Sequence, residues 1–390
     1  TMLNNFLEDN SICYVTRDKE RAQGHQETPG EFLIITDNDE PTATYKLLRD
    51  PQVAKQINQN GKQVLVFKNT AIIQKICREN DWTLLNPKSA LAQEVEDKIS
   101  QVHWLNELAT YLPKHFITLT KDAAFSGKAF ILQFNRTHTG SGTYFIETAE
   151  QLKELQEKFP DRPAKISEFV PGPVFTCNVV VTPDDILFGN LSYQITGIAP
   201  FTTNDFATIG NDWHAGNTML DKNQKDAINN MGTAIGKKLQ SQGWLGLFGI
   251  DIIVDEQTGK VYLLEINARQ PASTTFESHL QQPSNGLTTF DAHLAAVLQH
   301  SHDQKISTIT SGAQIVIRNT QKLLQKSQDQ INQLANDIKD LGYTVMVYNN
   351  QNIDQDKIRI QTTQHFINAH NQLSTNGLQL ANLLDTFYEN

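Results

Sequence analysis

The sequence of 390 residues predicts an α/β domain followed by α+β structure, and three observations lead to this order. Residues 1–95 alternate short apolar runs with helical patterns, which is typical of a parallel sheet covered by helices. Residues 96–300 contain strand pairs joined by Gly-containing turns, together with amphipathic helices. Residues 301–390 interleave two helical patterns with short apolar runs, which indicates a small closing α+β domain. We therefore expect three domains with these limits, and we expect the middle one to divide into subdomains at about 115–168 and 169–300.

The individual patterns place strands and helices throughout the chain. Strands are predicted at Ser11–Thr16, Glu31–Thr36, Gln63–Phe67, Trp82–Asn86, Ala164–Val170, Val174–Thr182, Ile186–Thr196, Ala313–Arg318, Thr344–Tyr348 and Lys357–Gln361. Helices are predicted at Asp50–Asn60, Ala71–Asp81, Ser89–Ala109 with a kink near Glu96 and Asp97, Ala149–Phe159, Lys222–Gln242, Thr288–His300, Ser327–Leu341 and Thr375–Tyr388. No G-x-G-x-x-G motif follows a strand of residues 1–95, so a dinucleotide-binding fold is not supported there.

Composition excludes several classes of protein. Of the residues, 39% are hydrophobic and 19% charged, the mean hydropathy is −0.42, and no apolar run approaches the roughly 20 residues of a membrane span. With no basic, hydrophobic leader in view, we expect a cytoplasmic protein without a membrane partner. The net charge of −10 argues against a nucleic-acid partner. Cys13, Cys77 and Cys177 are too far apart for a zinc site or a disulfide framework. A homodimer is one assembly that the sequence leaves open.

The most informative segment is Phe248–Pro271, two apolar strands joined by a Gly-containing turn. Each strand carries an acid between apolar neighbours, Asp251 in the first and Glu265 in the second. A carboxylate in such a place is costly unless a cation or several donors meet it. Because strand side chains alternate, Glu265 and Asn267 share a face, and pairing of the strands brings Asp251 beside them. Arg269 follows on the same face, with a guanidinium fork that suits a carboxylate or a phosphate.

Two carboxylates and one amide oxygen form a ligand set that suits a hard cation such as magnesium. An EF-hand is excluded, because the D-x-D-x-D-G spacing is absent. The other interpretation is a structural hairpin whose acids make ion pairs within the protein. That interpretation needs a basic residue on the matching face, and from the adjacent strands only Arg269 alternates onto it.

Asp251, followed by Glu265-Ile266-Asn267-Ala268-Arg269, resembles the magnesium-binding end of the ATP-grasp superfamily. In that family an aspartate, a glutamate and an asparagine hold the ions on the ATP phosphates, and an arginine often follows. The resemblance implies an ATP-grasp fold preceded by a small α/β domain. It also implies ATP and Mg²⁺ as cofactors, with Mn²⁺ as a substitute, and Asp251, Glu265 and Asn267 as the metal ligands.

Three more segments resemble the family in the same order along the chain. Asp97-Lys98 resembles the dipeptide whose lysine reaches the ATP phosphates, and Lys128–Ile146 resembles the glycine-rich loop that covers them. Ala164–Val170 resembles the hinge that reads the adenine edge. Taken singly, these are also compatible with a surface lysine, an ordinary hairpin turn and an ordinary strand. The nucleotide contacts that the resemblance implies are Lys98, Gln133, Gly140, Ser141, Gly142, Glu168, Phe169 and Val170.

Two positions depart from the family pattern. Gln133 stands where a lysine is usual in the strand before the loop, and Val174 stands where an acid often holds the ribose. Lys128 and Arg136 are nearby candidates for the missing positive charge, and the sequence does not choose between them.

The resemblance implies an ADP-forming ligase with small-molecule carboxylate and amine substrates. The substrate carboxylate would attack the γ-phosphorus to give an acyl phosphate, and an amine would then displace the phosphate. Arg269 would orient the carboxylate. In the long segment Gly197–Thr218, read as a loop, His214 alone titrates near neutral pH, which makes it a candidate general base. A histidine beside Trp213 is, however, more often a packing residue.

Two other functions stay open. A carboxylase-type enzyme would activate bicarbonate, although the chain carries no biotin-carrier Met-Lys-Met segment. A nucleotide-binding protein that has lost turnover would fit the departures at Gln133 and Val174.

Overall fold

The computed structural model describes residues 13–16, 31–34, 43–135, 142–284, 286–300 and 305–389. Within them, the N-terminal part forms the predicted α/β layer. In chain order its elements are β1 Cys13–Thr16, β2 Glu31–Ile34, α1 Thr44–Leu48, α2 Pro51–Gln59, β3 Gln63–Val64, α3 Ala71–Glu79 and β4 Thr83–Leu84. β1 pairs with β2 and β3 with β4, both in parallel, as the alternation of strands and helices predicts. The start of α2 is set by Asp50, whose carboxylate accepts the Gln52 N–H at 2.9 Å ahead of the proline at the first helical position.

The helical stretch that follows breaks in two at Asp97, where the kink is predicted. α4 spans Ser89–Glu96 and α5 spans Lys98–Leu105, followed by one 3₁₀ segment at Asn106–Tyr111. Asp97 has ψ of 130°, which is extended backbone, so the helix cannot run through it.

A four-stranded antiparallel sheet comes next. It contains β5 His115–Leu119, β6 Phe130–Phe134, β7 Thr143–Ile146 and β8 Pro163–Glu168 in the order β5-β8-β6-β7, and α6 Ala149–Lys158 lies between β7 and β8 in the chain. Ala164 and Ile166 of β8 join the apolar core that this sheet forms with Leu152 and Leu155 of α6. Since side chains alternate along a strand, Lys165 of β8 belongs to the opposite face.

The largest layer among the described residues is a nine-stranded sheet. Its strands are β9 Val174–Val181, β10 Ile186–Phe188, β11 Ser192–Thr196, β12 Thr208–Asp212, β13 Gly246–Val254, β14 Val261–Asn267, β15 Ala313–Arg318, β16 Thr344–Val347 and β17 Asp356–Thr362. Their order is β14-β13-β9-β11-β12-β15-β17-β16, and β10 pairs with the outer part of β9. Ile315 and Ile360 share one core with Phe175 and Ile250. The strands of the C-terminal 90 residues therefore extend the sheet that carries the acidic hairpin.

The remaining elements surround this sheet. They are α7 Trp213–Thr218, α8 Lys222–Ser241, α9 Thr274–Gln281, α10 Thr289–Val297, α11 Gln321–Leu324, α12 Gln328–Asp340, α13 Thr375–Glu389 and the short hairpin of β18 Ile367–Ala369 with β19 Gln372–Leu373. No helix among the described residues has the length and apolarity to cross a membrane.

Two expectations about this region were wrong in detail. The strand predicted over Ile186–Thr196 is split, because the chain turns at Gly189, where a Cβ would lie 2.5 Å from a carboxylate oxygen of Glu277. The segment Gly197–Thr218, read as a loop, contains β12 and α7. Gly210 allows β12 to approach β15, since a Cβ there would lie 2.0 Å from a backbone oxygen. The segment Gly197–Thr218 has the composition of a turn, so its sequence does not predict β12. Pairing with β11 and β15 stabilises this strand.

Candidate active site

The three side chains predicted to bind a metal lie together on the hairpin of β13 and β14. Asp251 stands opposite Glu265 in the strand register and opposite Thr176 of β9 on its other side. The Thr176 hydroxyl donates to one Asp251 oxygen at 2.6 Å, and the Asn267 amide donates to the other at 3.0 Å. No described residue donates a side-chain hydrogen bond to the amide oxygen of Asn267, so that oxygen is available to a cation.

The environment keeps this acid pair charged near neutral pH. Burial, reinforced by the charge of Glu265, raises the pKa of Asp251 to about 6, against the lowering effect of its hydrogen bonds. Burial also acts to raise the pKa of Glu265, but the nearby Lys98, Arg269 and Lys165 outweigh it, and the pKa stays below its usual value. Two carboxylates therefore lie next to an amide oxygen, and Glu265 is 34% exposed. The solvent-accessible side of this acid pair, where β14 meets α5 and α5 packs on β8, is called the cleft below.

The donor set fits magnesium better than a softer metal. Among the described residues no group of three or more His, Cys, Asp or Glu side chains has the geometry to hold a metal ion. A cation at Asp251 and Glu265 would need further oxygens from water or from a ligand. Magnesium is commonly bound in this way, through one or two carboxylates and the phosphates of a substrate.

Two lysines approach the acid pair from other parts of the fold. Lys98 is the first residue of α5, and its ammonium lies 2.7 Å from a Glu265 oxygen, with the side chain only 10% exposed. The start of α5 is held by Asn135, whose side-chain oxygen accepts the Ile99 N–H at 2.8 Å. Lys165 of β8 is 2% exposed. Burial and the charge of Lys98 lower the pKa of Lys165 to about 8, against the opposite effect of Glu265.

Among the described residues Arg269 pairs with neither Asp251 nor Glu265, so it is not the ion-pair partner that the structural-hairpin interpretation requires. Its guanidinium pairs with Glu96 at the end of α4, and Lys68 pairs with the other oxygen of the same carboxylate. Arg269 remains close enough to lower the pKa of Glu265. The direct partner of Glu265 is Lys98, which comes from a helix and so could not be found by following the hairpin.

The side of the cleft predicted to hold the nucleotide is described only in part. Gly140, Ser141 and Arg136 lie outside the described residues, while the Gly142 carbonyl accepts the Phe134 N–H at 3.0 Å. The Gln133 amide donates to the Thr143 hydroxyl at 3.3 Å.

Of the candidates for the charge missing at Gln133, Lys128 is exposed and precedes β6, roughly 17 Å along an extended chain from Gln133. Lys165 stands directly opposite Gln133 in the register of β6 and β8. A lysine inside an apolar strand is a visible feature of the sequence. Only the register of β6 and β8 shows that Lys165 lies beside Gln133.

The predicted hinge carries an aromatic cluster. The Glu168 carboxylate accepts the backbone N–H of Lys114 at 3.2 Å, and Val170 is buried. Phe169 is 37% exposed and its ring lies 4.6 Å from that of Phe145, which in turn lies 5.3 Å from Phe206. Because Phe206 belongs to the nine-stranded layer and Phe145 to the four-stranded one, the cluster links the two layers beside the hinge.

His214 lies at a different place, in α7. Its ring stacks on that of His365, with the centroids 4.4 Å apart. Asp212 caps α7 through the Ala215 N–H and also accepts the N–H groups of Phe366 and Ile367, which fixes this helix against the C-terminal residues. The role of His214 as a general base stays a prediction.

A row of polar side chains continues from the acid pair across the nine-stranded sheet. Ser192 of β11 accepts a hydrogen bond from Asn211 of β12 at 3.1 Å, and Gln314 of β15 donates to Asn211 at 3.2 Å. The guanidinium of Arg359 donates to Gln314 at 3.3 Å. Sequence reasoning missed this row, because its members come from five separate strands when Asp251 is included.

Comparison with known proteins concerns the family and the fold. Residues 95–273 match the family model of the ATP-grasp domain. This part of the chain is an ATP-grasp domain, and the resemblance found in the sequence is confirmed.

Solved structures of low sequence identity share the fold over nearly the whole chain. N5-carboxyaminoimidazole synthase from Aspergillus clavatus, in complex with ADP and 5-aminoimidazole ribonucleotide, has a TM-score of 0.67 at 14% identity and covers 97% of this chain and 99% of its own. N5-carboxyaminoimidazole synthetase from Staphylococcus aureus, complexed with ADP, has a TM-score of 0.64 at 14% identity, with 98% and 99% covered. L-amino acid ligase from Bacillus licheniformis has a TM-score of 0.62 at 12% identity, with 97% and 98% covered. The search of curated proteins gave no significant match.

Proposed function

We propose that the protein is an ATP- and magnesium-dependent, ADP-forming ligase that activates a substrate carboxylate as an acyl phosphate and joins it to an amine. The observation that carries the proposal is the pairing of Asp251 with Glu265, beside Asn267 and Lys98, inside an ATP-grasp domain. This set brings oxygen ligands for a cation and an ammonium for a phosphate to one place.

The residues of the chain divide the work by their chemistry. Asp251, Glu265 and Asn267 would hold magnesium through their oxygens, and the ion would lower the charge that an incoming carboxylate has to approach. Lys98, whose ammonium is now paired with Glu265, would also donate to a phosphate oxygen of the nucleotide. The backbone around Gly142 would cover the phosphates and keep water from the acyl phosphate.

Adenine binding is proposed for the hinge. Glu168 ends β8, and Phe169 and Val170 follow it in the connection from the four-stranded sheet to β9 of the nine-stranded sheet. The exposed face of Phe169, already packed on Phe145, offers an apolar surface to a planar base.

Substrate binding is proposed for Arg269 and for the polar row of the sheet. The guanidinium of Arg269 is suited to a carboxylate, provided that the substrate competes with Glu96 for it. The row from Ser192 to Arg359 offers hydrogen-bond donors and acceptors for a polar acceptor molecule.

A second candidate is a carboxylase-type reaction in which bicarbonate takes the place of the organic carboxylate. The long alignments with two N5-carboxyaminoimidazole synthases favour keeping this candidate, and the L-amino acid ligase favours the first one. The two candidates use the same nucleotide and metal site and differ in the molecule that is activated.

The decisive measurement is magnesium-dependent ADP release with a panel of carboxylic acids and amines that includes amino acids and bicarbonate. Glu265→Gln should lower ADP release by at least about 100-fold, because it removes a charged ligand of the transferred phosphate's cation. The matched control is Glu256→Gln, which neutralises an exposed acid in the turn of the same hairpin and should retain full activity.

Two outcomes would contradict the proposal. Equal ADP release by wild type and Glu265→Gln would refute the metal assignment. Binding of magnesium and ATP without ADP release on any member of the panel would favour a binding protein without turnover. Melting temperatures of both variants would show whether a loss of activity reflects loss of the fold.

A further inference from the structure

Lys165 is a buried lysine that the fold aims into the cleft. It lies in β8 between Ala164 and Ile166, which pack into the core of the four-stranded sheet, so its own side chain leaves on the other face. Helix α5, which begins at Lys98, packs against β8, and the Lys98 ammonium is paired with Glu265 at 2.7 Å, so Lys165 is near both charged groups. Across the strands its direct neighbour is Gln133, in the first strand of the segment Lys128–Ile146 that resembles the phosphate-covering loop.

Within the part of the chain that the structure describes, the ammonium of Lys165 has no anionic partner and no hydrogen-bond acceptor. The nearest carboxylate, Glu265, is already paired with Lys98 at 2.7 Å. An ammonium carries three donors, and a side chain only 2% exposed cannot satisfy them with bulk water. Leaving such a charge unpaired is costly, so a protein retains it where a ligand supplies the anion.

We propose that Lys165 is a ligand of the phosphate chain of the bound nucleotide, and that it supplies from β8 the positive charge that Gln133 does not supply from β6. The inference rests on the proposed function, because it assumes a nucleotide in this cleft, and it adds a residue that the resemblance does not assign. A neutral residue at Gln133 is then expected, since a second ammonium directly across the strand pair would repel that of Lys165.

The test is a comparison of binding with and without phosphates. Dissociation constants for ADP with magnesium and for adenosine would be measured by calorimetry for wild type, Lys165→Met and Lys128→Met. Lys165→Met should weaken ADP binding by about 10- to 100-fold, the size expected for one charge-assisted hydrogen bond, and should leave adenosine binding within about twofold. Lys128→Met is the matched control, because it removes an exposed lysine at the other end of β6, and it should bind both ligands like wild type.

A charge-relocation variant sharpens the result. Adding Gln133→Lys to Lys165→Met returns an ammonium to the same face from the opposite strand, where Cβ atoms are about 5 Å apart. This double variant should recover at least about tenfold of the lost ADP affinity. Without nucleotide, Lys165→Met should melt at the same temperature as wild type or higher, since an unpaired buried charge has been removed. Lys165→Gln is the substitute if the Met variant does not fold.

The outcomes separate this inference from the function on which it rests. If wild type binds ADP and Lys165→Met binds it equally well, the role of Lys165 is refuted and the proposed function stands. If ADP and adenosine lose affinity equally and the melting temperature falls, Lys165 has a packing role, which also refutes the inference. If wild type binds neither ATP nor ADP, the proposed function fails and the inference fails with it.

Discussion

Two carboxylate clusters lie on the same face of the nine-stranded sheet, one repeat apart along β9. Thr176 donates to Asp251 of the candidate site, and Asn178, two residues further on, donates to Glu277 of α9. Both acids are shielded enough that burial raises the pKa of each above its usual value. They differ in what compensates for that burial.

Glu277 is fully buried and its described partners are all neutral. It accepts hydrogen bonds from the side chain of Asn178, the backbone of Asn190 and, at 3.0 Å, the hydroxyl of Thr289. Its oxygens are therefore used up within the protein. Such a network fastens α9 to β9, to the connection between β10 and β11 and to the start of α10, but leaves no capacity for a ligand.

The burial of Asp251 and Glu265 is compensated by fewer protein contacts than that of Glu277. Glu265 is 34% exposed and is met by a single ammonium, and Asp251 has one hydrogen bond to each oxygen. A carboxylate has about four lone-pair sites, so each acid retains unused acceptor positions on the side of the cleft. Burial alone thus does not distinguish a binding acid from a structural one, and the remaining acceptor capacity does.

The largest expected effect that tests this contrast is on stability. Glu277→Ala should lower the free energy of unfolding by about 3 kcal/mol, because it removes the acceptor of donors on Asn178, Asn190 and Thr289 and opens a cavity in a fully buried place. Asp251→Ala should change it by no more than about 1 kcal/mol, because the Thr176 hydroxyl keeps an alternative acceptor in the Ile250 carbonyl at 3.3 Å and a carboxylate whose charge burial disfavours has been removed. Urea unfolding of the metal-free variants measures both values.

Equal losses of stability in these two alanine variants would break the distinction. Such a result would mean that Asp251 contributes as much to the stability of the fold as Glu277 does. Magnesium-dependent ADP release of the Glu277→Ala protein, measured well below its unfolding midpoint, should stay within about threefold of wild type, as expected for a residue that touches no substrate.

The sequence predicts the acid pair well, because its geometry depends on alternation within one hairpin. The prediction that Asp251 and Glu265 stand side by side is confirmed by the register, and the break at Asp97 is confirmed by its backbone angle. The ATP-grasp fold is confirmed as well by the comparisons. It could be predicted because the motifs of the family occur in order along the chain. These features rest on neighbours in sequence or on a short hairpin.

The parts that could not be predicted depend on contacts between distant segments. The partners of Glu277 are 99 and 87 residues away at Asn178 and Asn190, and no local pattern marks them. Similarly, the ion pair of Lys98 with Glu265 joins a helix to a strand of another layer. Lys165 is visible as a charge in an apolar strand, but only the register beside Gln133 assigns it to the cleft.

A smaller effect concerns the pH dependence of stability. Because burial raises the pKa of Glu277, the folded protein holds its proton at pH values where the unfolded chain has already released it. Its contribution to stability is therefore present below the usual value of 4.5 and declines as pH rises through the higher folded-state pKa. The stability of Glu277→Gln, which cannot titrate, should therefore increase relative to that of wild type as pH rises from 4.5 to neutrality.

Urea unfolding at several pH values measures this difference. The comparison between wild type and variant cancels the other acids, and Glu256→Gln, with an exposed side chain, should run parallel to wild type at every pH. If the curve for Glu277→Gln is also parallel to that of wild type, Glu277 titrates alike in the folded and unfolded states. Its hydrogen-bond network would then have no more effect on its pKa than the surroundings of an exposed acid have.

The smallest expected effect is at His214, which lies outside both clusters. Its ring is stacked on His365, in a helix that Asp212 fastens to the C-terminal residues, so its surroundings are those of a packing residue. Loss of a general base costs about 10²- to 10⁴-fold in rate, whereas we expect His214→Asn to reduce ADP release by no more than about threefold. The ratio of kcat to KM for ADP release, measured from pH 5.5 to 8.5 beside His365→Asn, decides between the two. A loss of about 100-fold or more in His214→Asn alone, with an unchanged melting temperature and a pH profile that differs from those of wild type and His365→Asn, would place His214 in the reaction. The candidate site would then extend from the acid pair along the polar row to α7, and His365 would become its positioning partner.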